Sequence, residues 1–398
     1  MRVLLVDVNA KQSSTGAIVY ALRQDLERRG HTALLCYARG ERYREPGLYR
    51  FALPLETALH GLLTRLTGFT DCFSPLSTLR LLWQIRRFRP DILHLHELHS
   101  YFLNRRLFWN YIKKTRIKVL WTMHCDIAFT GRCGVAMDCT RYRIGCGSCP
   151  YKNLYPKTLC FDHSAYMWRV KKALYGKLPN LRFSAPSAWL KDRLAGSFLG
   201  VFPCDVVPNG VDAHFAKEAP PFLRERLGIA GKIALTVVPS YYDESKGGAH
   251  FAALARHYEG SGLHFVIISR DYEGRRDLSK NLHALTGLSL PQLAAAYRES
   301  DVFLLLSSFE TFSKTCAEAL TAGTPVVGFA SGAPERVFAS PYAQFVPYGD
   351  REGLCQKLDA LLESPLRREE IAAYAARFSE SAMLEGYYRL YEEMHEAE

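Results

Sequence analysis

The chain has 398 residues, 48% hydrophobic and 23% charged, a balance that excludes intrinsic disorder and provides length for two domains rather than one. No apolar run approaches the ~18 residues needed to cross a bilayer, and Met1–Asp7 lacks the long apolar stretch of a secretion signal, so the sequence predicts a cytoplasmic protein. The net charge of +11 hides a division: residues 1–200 carry 32 Lys and Arg against 13 Asp and Glu, whereas residues 201–398 carry 19 against 27. A basic half suits nucleic acid or an anionic membrane surface.

Short β-branched and leucine-rich runs alternate with helical stretches along the chain. In the first half they predict strands at Val3–Val8, Ala33–Tyr37, Ile92–His96, Val119–His124 and Arg182–Pro186. Ser14 or Thr15 is expected to cap the first helix, with Ile18, Leu22 and Leu26 as its apolar stripe and Gly30 at its end. A seam falls near Pro203–Gly210, and six further strands follow at Ile233–Val238, Phe265–Ser269, His283–Thr286, Val302–Ser307, Pro325–Phe329 and Gln344–Pro347. Apolar strands separated by helices imply parallel sheets covered on both faces, an α/β chain of two Rossmann-like doubly wound domains. The expected division is 1–205, 206–378, and a closing amphipathic helix over 379–398. Such sheets bind ligands beyond the carboxyl ends of their strands, so the residues just after strands deserve inspection.

In the first half, Gly16 follows strand one, where it either lets a ligand approach closely or makes an ordinary turn. His94, His96, Glu97 and His99 cluster after another strand. His94 and His96 share a sheet face, His99 and Asn104 are acceptor-loop candidates, and no catalytic metal is expected. Cys133, Cys139, Cys146 and Cys149 end in a Cys-x2-Cys amid glycines, a structural-zinc pattern, with two disulfides or reduced thiols as the alternatives. Arg105–Arg116 interleaves cations with Phe108, Trp109 and Tyr111, and with His60–Leu66 it suits docking on the inner leaflet of the membrane, although Phe108 and Trp109 read equally well as core residues.

The most specific pattern lies in the second half. Ser307-Ser308-Phe309-Glu310-Thr311-Phe312-Ser313-Lys314-Thr315-Cys316-Ala317-Glu318-Ala319-Leu320 runs from an apolar strand through a polar loop into a helix that Ser313 is placed to cap. Free N–H groups at that helix start suit a diphosphate, and the two glutamates suit sugar or ribose hydroxyls. Lys246-Gly247-Gly248 offers a phosphate a point charge and close backbone approach.

Together with Pro208-Asn209-Gly210-Val211-Asp212 and Ala185-Pro186-Ser187, these motifs resemble the retaining GT-B glycosyltransferases of family four over essentially the whole chain. Trp121-Thr122-Met123-His124, Phe129-Thr130-Gly131-Arg132-Cys133 and His99–Asn104 resemble a bacterial exopolysaccharide subgroup of the colanic-acid and capsule type. The resemblance implies a nucleotide-sugar donor, an interdomain cleft and a lipid-linked oligosaccharide acceptor. Glu318 would hold the ribose and Glu310 the donor sugar. Thr311, Phe312 and Ser313 would offer backbone amides, Lys246 and Gly247 would meet the diphosphate, and His124 would contact the sugar near the reacting carbon. Many relatives carry an arginine where this chain has Ser240, so either Lys246 works with less help or another cation such as Arg270 substitutes. The rival readings are a nucleotide-sugar epimerase and a basic nucleic-acid-binding protein, although no nucleic-acid-binding motif accompanies the charge.

Overall fold

A computed structural model describes residues 1–396 apart from 177, 219 and 272–278. The chain divides into two compact units, Met1–Pro208 with Leu384 onward, and Asn209–Met383.

The first unit holds seven strands: β1 (Arg2–Asp7), β2 (Thr32–Tyr37), β3 (Leu48–Arg50), β4 (Ile92–Leu95), β5 (Lys118–Thr122), β6 (Leu181–Ala185) and β7 (Cys204–Val206). All pair in parallel, in the order β3-β2-β1-β4-β5-β6-β7. The winding direction reverses between β1 and β4, so their carboxyl ends splay around a crevice. β1 and β4 are apolar at nearly every position because helices cover both faces, leaving no solvent side to alternate with. The edge strands β3 and β7, three residues each, are too short to show in the apolar pattern and were not expected.

The second unit holds β8 (Lys232–Val237), β9 (Leu263–Ile268), β10 (Leu282–Leu285), β11 (Val302–Leu305), β12 (Val326–Phe329) and β13 (Ala343–Val346), parallel in the order β10-β9-β8-β11-β12-β13. Alternate residues feed two cores, Leu235, Phe303 and Leu305 on one face, Ala234, Leu304 and Leu306 on the other. Here the reversal falls between β8 and β11.

Several local expectations need correction. The first helix, Ser14–Arg28, is capped by Ser13, whose hydroxyl accepts the Gly16 N–H, rather than by Ser14 or Thr15. The closing helix is Glu380–Glu396, and the expected continuation over Ala397 and Glu398 lies outside the described residues. The helix Arg105–Thr115 does not present its aromatics to a membrane. Phe108 and Trp109 are fully buried, with Trp109 packed on Trp121 and Tyr175, and Arg105 is ion-paired to Asp71. His60 is likewise buried and bonded to Ser74. Among the described residues, no helix is long and apolar enough to cross a membrane.

Candidate functional site

In the second unit, the loops after β8 and β11 meet at the sheet's reversal. The Ser308 N–H donates to the Ser245 carbonyl (2.8 Å), tying the two loops together. Gly247 follows with φ 77°, and a Cβ there would lie 2.3 Å from the Leu306 carbonyl oxygen, so a side chain is excluded. This close approach aims Lys246 at the neighbouring loop, where its Nζ donates to Glu310 Oε1 at 2.8 Å. Burial opposes the Lys246 charge, but the Glu310 and Asp243 carboxylates outweigh it and hold its pKa above the usual lysine range. Glu310 is fixed from its backbone: its N–H donates to the Ser331 carbonyl (2.8 Å) and its carbonyl accepts from Ala333 N–H (3.1 Å).

Ser313 caps the helix Lys314–Thr321 as expected, accepting the Cys316 N–H at 3.4 Å from a left-handed conformation, φ 73°. The first-turn amides and the positive end of the helix dipole are the kind of group that can hold an anion, and the loop that leads into them carries Glu310, the partner of Lys246. Thr311 and Phe312 lie in the same loop. Phe312 itself is a packing residue, 1% exposed and stacked edge-on against Phe338, which leaves its side chain no part in a site. Glu318, in the second turn, accepts the Tyr297 hydroxyl at 3.1 Å. Burial raises its carboxyl above the usual range, opposed by the Lys314 charge and the Tyr297 bond. Tyr297 went unnoticed in the sequence because it reads as one more apolar helix residue. Ser240 and the Tyr241 N–H both bond Asp271, so the position of the absent arginine is taken by a turn, and Arg270 beside it is exposed.

In the first unit, the reversal between β1 and β4 gathers ionisable groups. Asp7, at the end of β1, is fully buried and accepts from Glu97 N–H (3.1 Å), Asn9 N–H (3.2 Å) and the Thr15 hydroxyl (3.1 Å). Burial and the Glu97 charge push its pKa up to about 7. The sequence reading missed it, although a lone acid closing an apolar strand is itself a signal. His99 forms an ion pair with Glu97, and this contact with the nearby Cys125 thiol overcomes burial to raise its pKa well above the histidine range. Its Nδ1 meets the Tyr155 hydroxyl at 3.1 Å. The ligand atoms of Glu97, His99 and Cys125 lie within 4.8 Å of one another, a grouping able to hold a cation.

His124 lies two residues beyond β5 rather than in it, its ring stacked on His96 with Nε2 3.1 Å from His96 Nδ1. His96 and His94 are buried, which drives both pKa values well below the usual histidine value, so that pair is neutral. Gly16 completes the Ser13 cap, with neighbours 3.2 to 3.3 Å from where a Cβ would stand. Asn104 is committed to the fold as the cap of the helix Arg105–Thr115, accepting Leu107 N–H and donating to the Cys72 carbonyl. Each amide end thus has one structural bond beside the acceptor-binding role expected of it. Cys133 and Cys149 share a thiol hydrogen bond, with Cys146 and Cys139 in the same electrostatic neighbourhood, and all four are free thiols.

The family model Glycosyltransferase Family 4 matches residues 15–215, half the chain, and Glycosyl transferases group 1 matches residues 271–378. The chain belongs to glycosyltransferase family 4.

WcaC of Escherichia coli (strain K12), a candidate colanic acid biosynthesis glycosyl transferase, is 25% identical over 321 residues, 77% of each chain. An MMP alpha-(1->4)-mannosyltransferase of Mycolicibacterium hassiacum is 36% identical over 95 residues, 23% of each chain. Among solved structures, sucrose-phosphate synthase from Thermosynechococcus elongatus aligns at TM-score 0.71 with 15% identity, covering 99% of this chain and 98% of that one. Anabaena HepE in complex with UDP-glucose aligns at 0.69 with 14% identity, covering 99% and 100%. These likenesses establish the GT-B fold for this glycosyltransferase.

Proposed function

We propose that this glycosyltransferase moves a hexose from a nucleotide sugar, with retention of anomeric configuration, to a lipid-linked oligosaccharide during exopolysaccharide assembly. The observation that carries this reading is the Lys246–Glu310 pair, held by backbone contacts at the reversal of the second sheet beside the open start of the helix Lys314–Thr321. Glu318 takes the ribose hydroxyls, Glu310 the sugar hydroxyls, and Lys246 with the Thr311–Ser313 amides takes the diphosphate. In the transfer, an acceptor hydroxyl oxygen bonds to the anomeric carbon from the face that the diphosphate leaves. The bond from that carbon to the phosphate oxygen breaks, and the acceptor's proton passes to the departing phosphate. The protein contributes positioning and a cation for the developing charge. His124 keeps the sugar-contacting role given by the family resemblance, and His99 the acceptor role. HepE is solved in complex with UDP-glucose, which supports a nucleotide-sugar donor, and the likeness to the candidate colanic acid glycosyl transferase WcaC supports the exopolysaccharide setting.

An exposed apolar and basic surface supports the reading of a lipid-linked acceptor. Leu55, Leu59, Leu62 and Leu66 are exposed along one stripe of the helix Pro54–Thr67, and Leu76, Leu79 and Trp83 along the helix Pro75–Phe88. Glu56 joins the helices by accepting the Leu76 and Ser77 N–H groups. Arg65, Arg80, Arg86 and Arg87 lie on the same two helices, the combination that anchors a peripheral protein to anionic lipid. The proposed docking surface thus keeps the His60–Leu66 stretch of the expectation, through exposed Leu62 and Leu66, and gives up the helix Arg105–Thr115.

The test supplies the chain with labelled nucleotide hexose and a lipid extract carrying polyprenyl-linked oligosaccharide. Label in the organic phase with the donor's anomeric configuration, read by NMR, is expected. An inverted linkage contradicts retention, and an altered nucleotide sugar with no transfer points to the epimerase.

A further inference from the structure

His124, which the proposed function sets against the donor sugar, meets a second histidine whose proton the transfer leaves unused. His96 is 2% exposed and fixed from its backbone: its N–H donates to the Val6 carbonyl (2.9 Å), and its carbonyl accepts the Trp121 indole N–H (3.0 Å). Its ring packs against those of His94 (4.1 Å), His124 (5.4 Å) and Tyr387 (6.4 Å). His94 uses both of its nitrogens, on the hydroxyls of Tyr391 (2.6 Å) and Thr122 (2.7 Å). His96 does not. Its Nδ1 stands 3.1 Å from His124 Nε2, while its Nε2 is buried with no hydrogen-bond partner among the described residues. Burial above all keeps the ring neutral, so it carries a single N–H. A proton on Nε2 would leave a buried donor with nothing to accept it. A proton on Nδ1 finds an acceptor in His124 and leaves only an unused lone pair, the lesser fault in a protein interior.

We propose that His96 is a positioning residue: its Nδ1–H donates to His124 Nε2 and holds His124 in the tautomer that carries its own proton on Nδ1. Which nitrogen of a histidine bears the proton is set by the hydrogen bond that the other nitrogen makes. The consequence reaches the reaction. With Nε2 accepting from His96, what neutral His124 offers a ligand is an N–H, which a sugar oxygen can accept. It then has no lone pair with which to deprotonate the acceptor hydroxyl, in keeping with passage of that proton to the departing phosphate oxygen. The role toward the sugar rests on the proposed contact of His124 with the donor, whereas the tautomer stands without it.

The test is nitrogen NMR of the full chain with isotope-labelled histidine at alkaline pH, the His124 signals being identified by their loss in His124→Asn. A pyrrole-like Nδ1 and a pyridine-like Nε2 are expected for His124, and the same pattern for His96. His96→Asn keeps an amide N–H where Nδ1 stood, so it should preserve the His124 tautomer and most of kcat. His96→Leu should return His124 to the form protonated on Nε2 that histidine favours in water, and lower kcat about 10²-fold with a smaller change in KM. Wild-type His124 protonated on Nε2 overturns the proposal, and so does His96→Leu with the tautomer unmoved. If His96→Leu fails to fold, the wild-type spectrum and that of His96→Asn still decide, since loss of the tautomer in His96→Asn also overturns it. A tautomer that moves in His96→Leu while kcat stays intact supports the hydrogen-bond lock and defeats the sugar contact of the proposed function instead.

Discussion

Lys246 and Glu310 neutralise one another at 2.8 Å, and under the proposed function donor binding would part them, the ammonium turning to the diphosphate and the carboxylate to the sugar. Replacing Lys246 by Met removes the charge that answers the leaving diphosphate and should lower kcat by about 10²- to 10³-fold with a smaller change in KM. A KM effect alone would show that the lysine only binds. Asp7 makes a prediction about pH. Its carboxyl titrates near 7 in the folded chain against 3.8 when exposed, so between these values the folded state holds a proton that the unfolded state lacks. Stability should therefore fall as pH rises from about 4 to about 7 and level off above, by at most about 4 kcal/mol. Asp7→Asn should flatten the fall. Denaturant midpoints at pH 5 and pH 8 for both proteins check this, and parallel profiles would contradict it.

Gly247 shows how a single backbone position builds the site. It combines φ 77° with a space closed by the Leu306 carbonyl, whereas Gly30 has φ 83° with nothing near it. Gly247→Ala should cost about 3 kcal/mol and Gly30→Ala about 1 kcal/mol, measured by chemical denaturation, and equal losses would refute the steric account. The segment Ser307–Leu320 was readable in advance because its signals are local: an apolar strand, a polar loop, a serine cap and a helix ended at Gly323. The Arg105–Thr115 helix left both readings open because its sequence is equally amphipathic whether the aromatics face a core or a lipid, and the rings of Trp121 and Tyr175 packed on Trp109 decide for the core. Ser13 over Ser14 was similarly undecidable, since three adjacent hydroxyl residues offer the same cap. Asp7, Glu97 and His99 come together only once β1 and β4 are neighbours, a pairing between residues some ninety apart that no local pattern records.

The charge division of the chain has a structural counterpart in its end. From Leu384 onward the acidic closing helix packs with the basic unit, Glu385 on Arg29 (3.0 Å) and Glu393 on Arg182 (2.8 Å), while Tyr391 reaches His94 at 2.6 Å. The proposed function gives the basic surface around the exposed leucines of the helices Pro54–Thr67 and Pro75–Phe88 to lipid. Replacing Leu59, Leu62 and Trp83 together by Ser should reduce co-sedimentation with anionic vesicles about tenfold or more, and raising salt should weaken the wild-type protein. Binding that ignores both changes would place the membrane contact elsewhere. The central claim is that the second unit holds a nucleotide diphosphate through Glu318 and the Lys314–Thr321 helix. The direct measurement is thermal unfolding of wild type and Glu318→Ala with UDP, GDP, ADP and dTDP at ~100 times Kd, where a bound ligand adds about 2.7 kcal/mol. One nucleotide that raises the wild-type Tm by several degrees and leaves Glu318→Ala unmoved is the predicted result. A shift retained by Glu318→Ala, or none with any nucleotide, would contradict it.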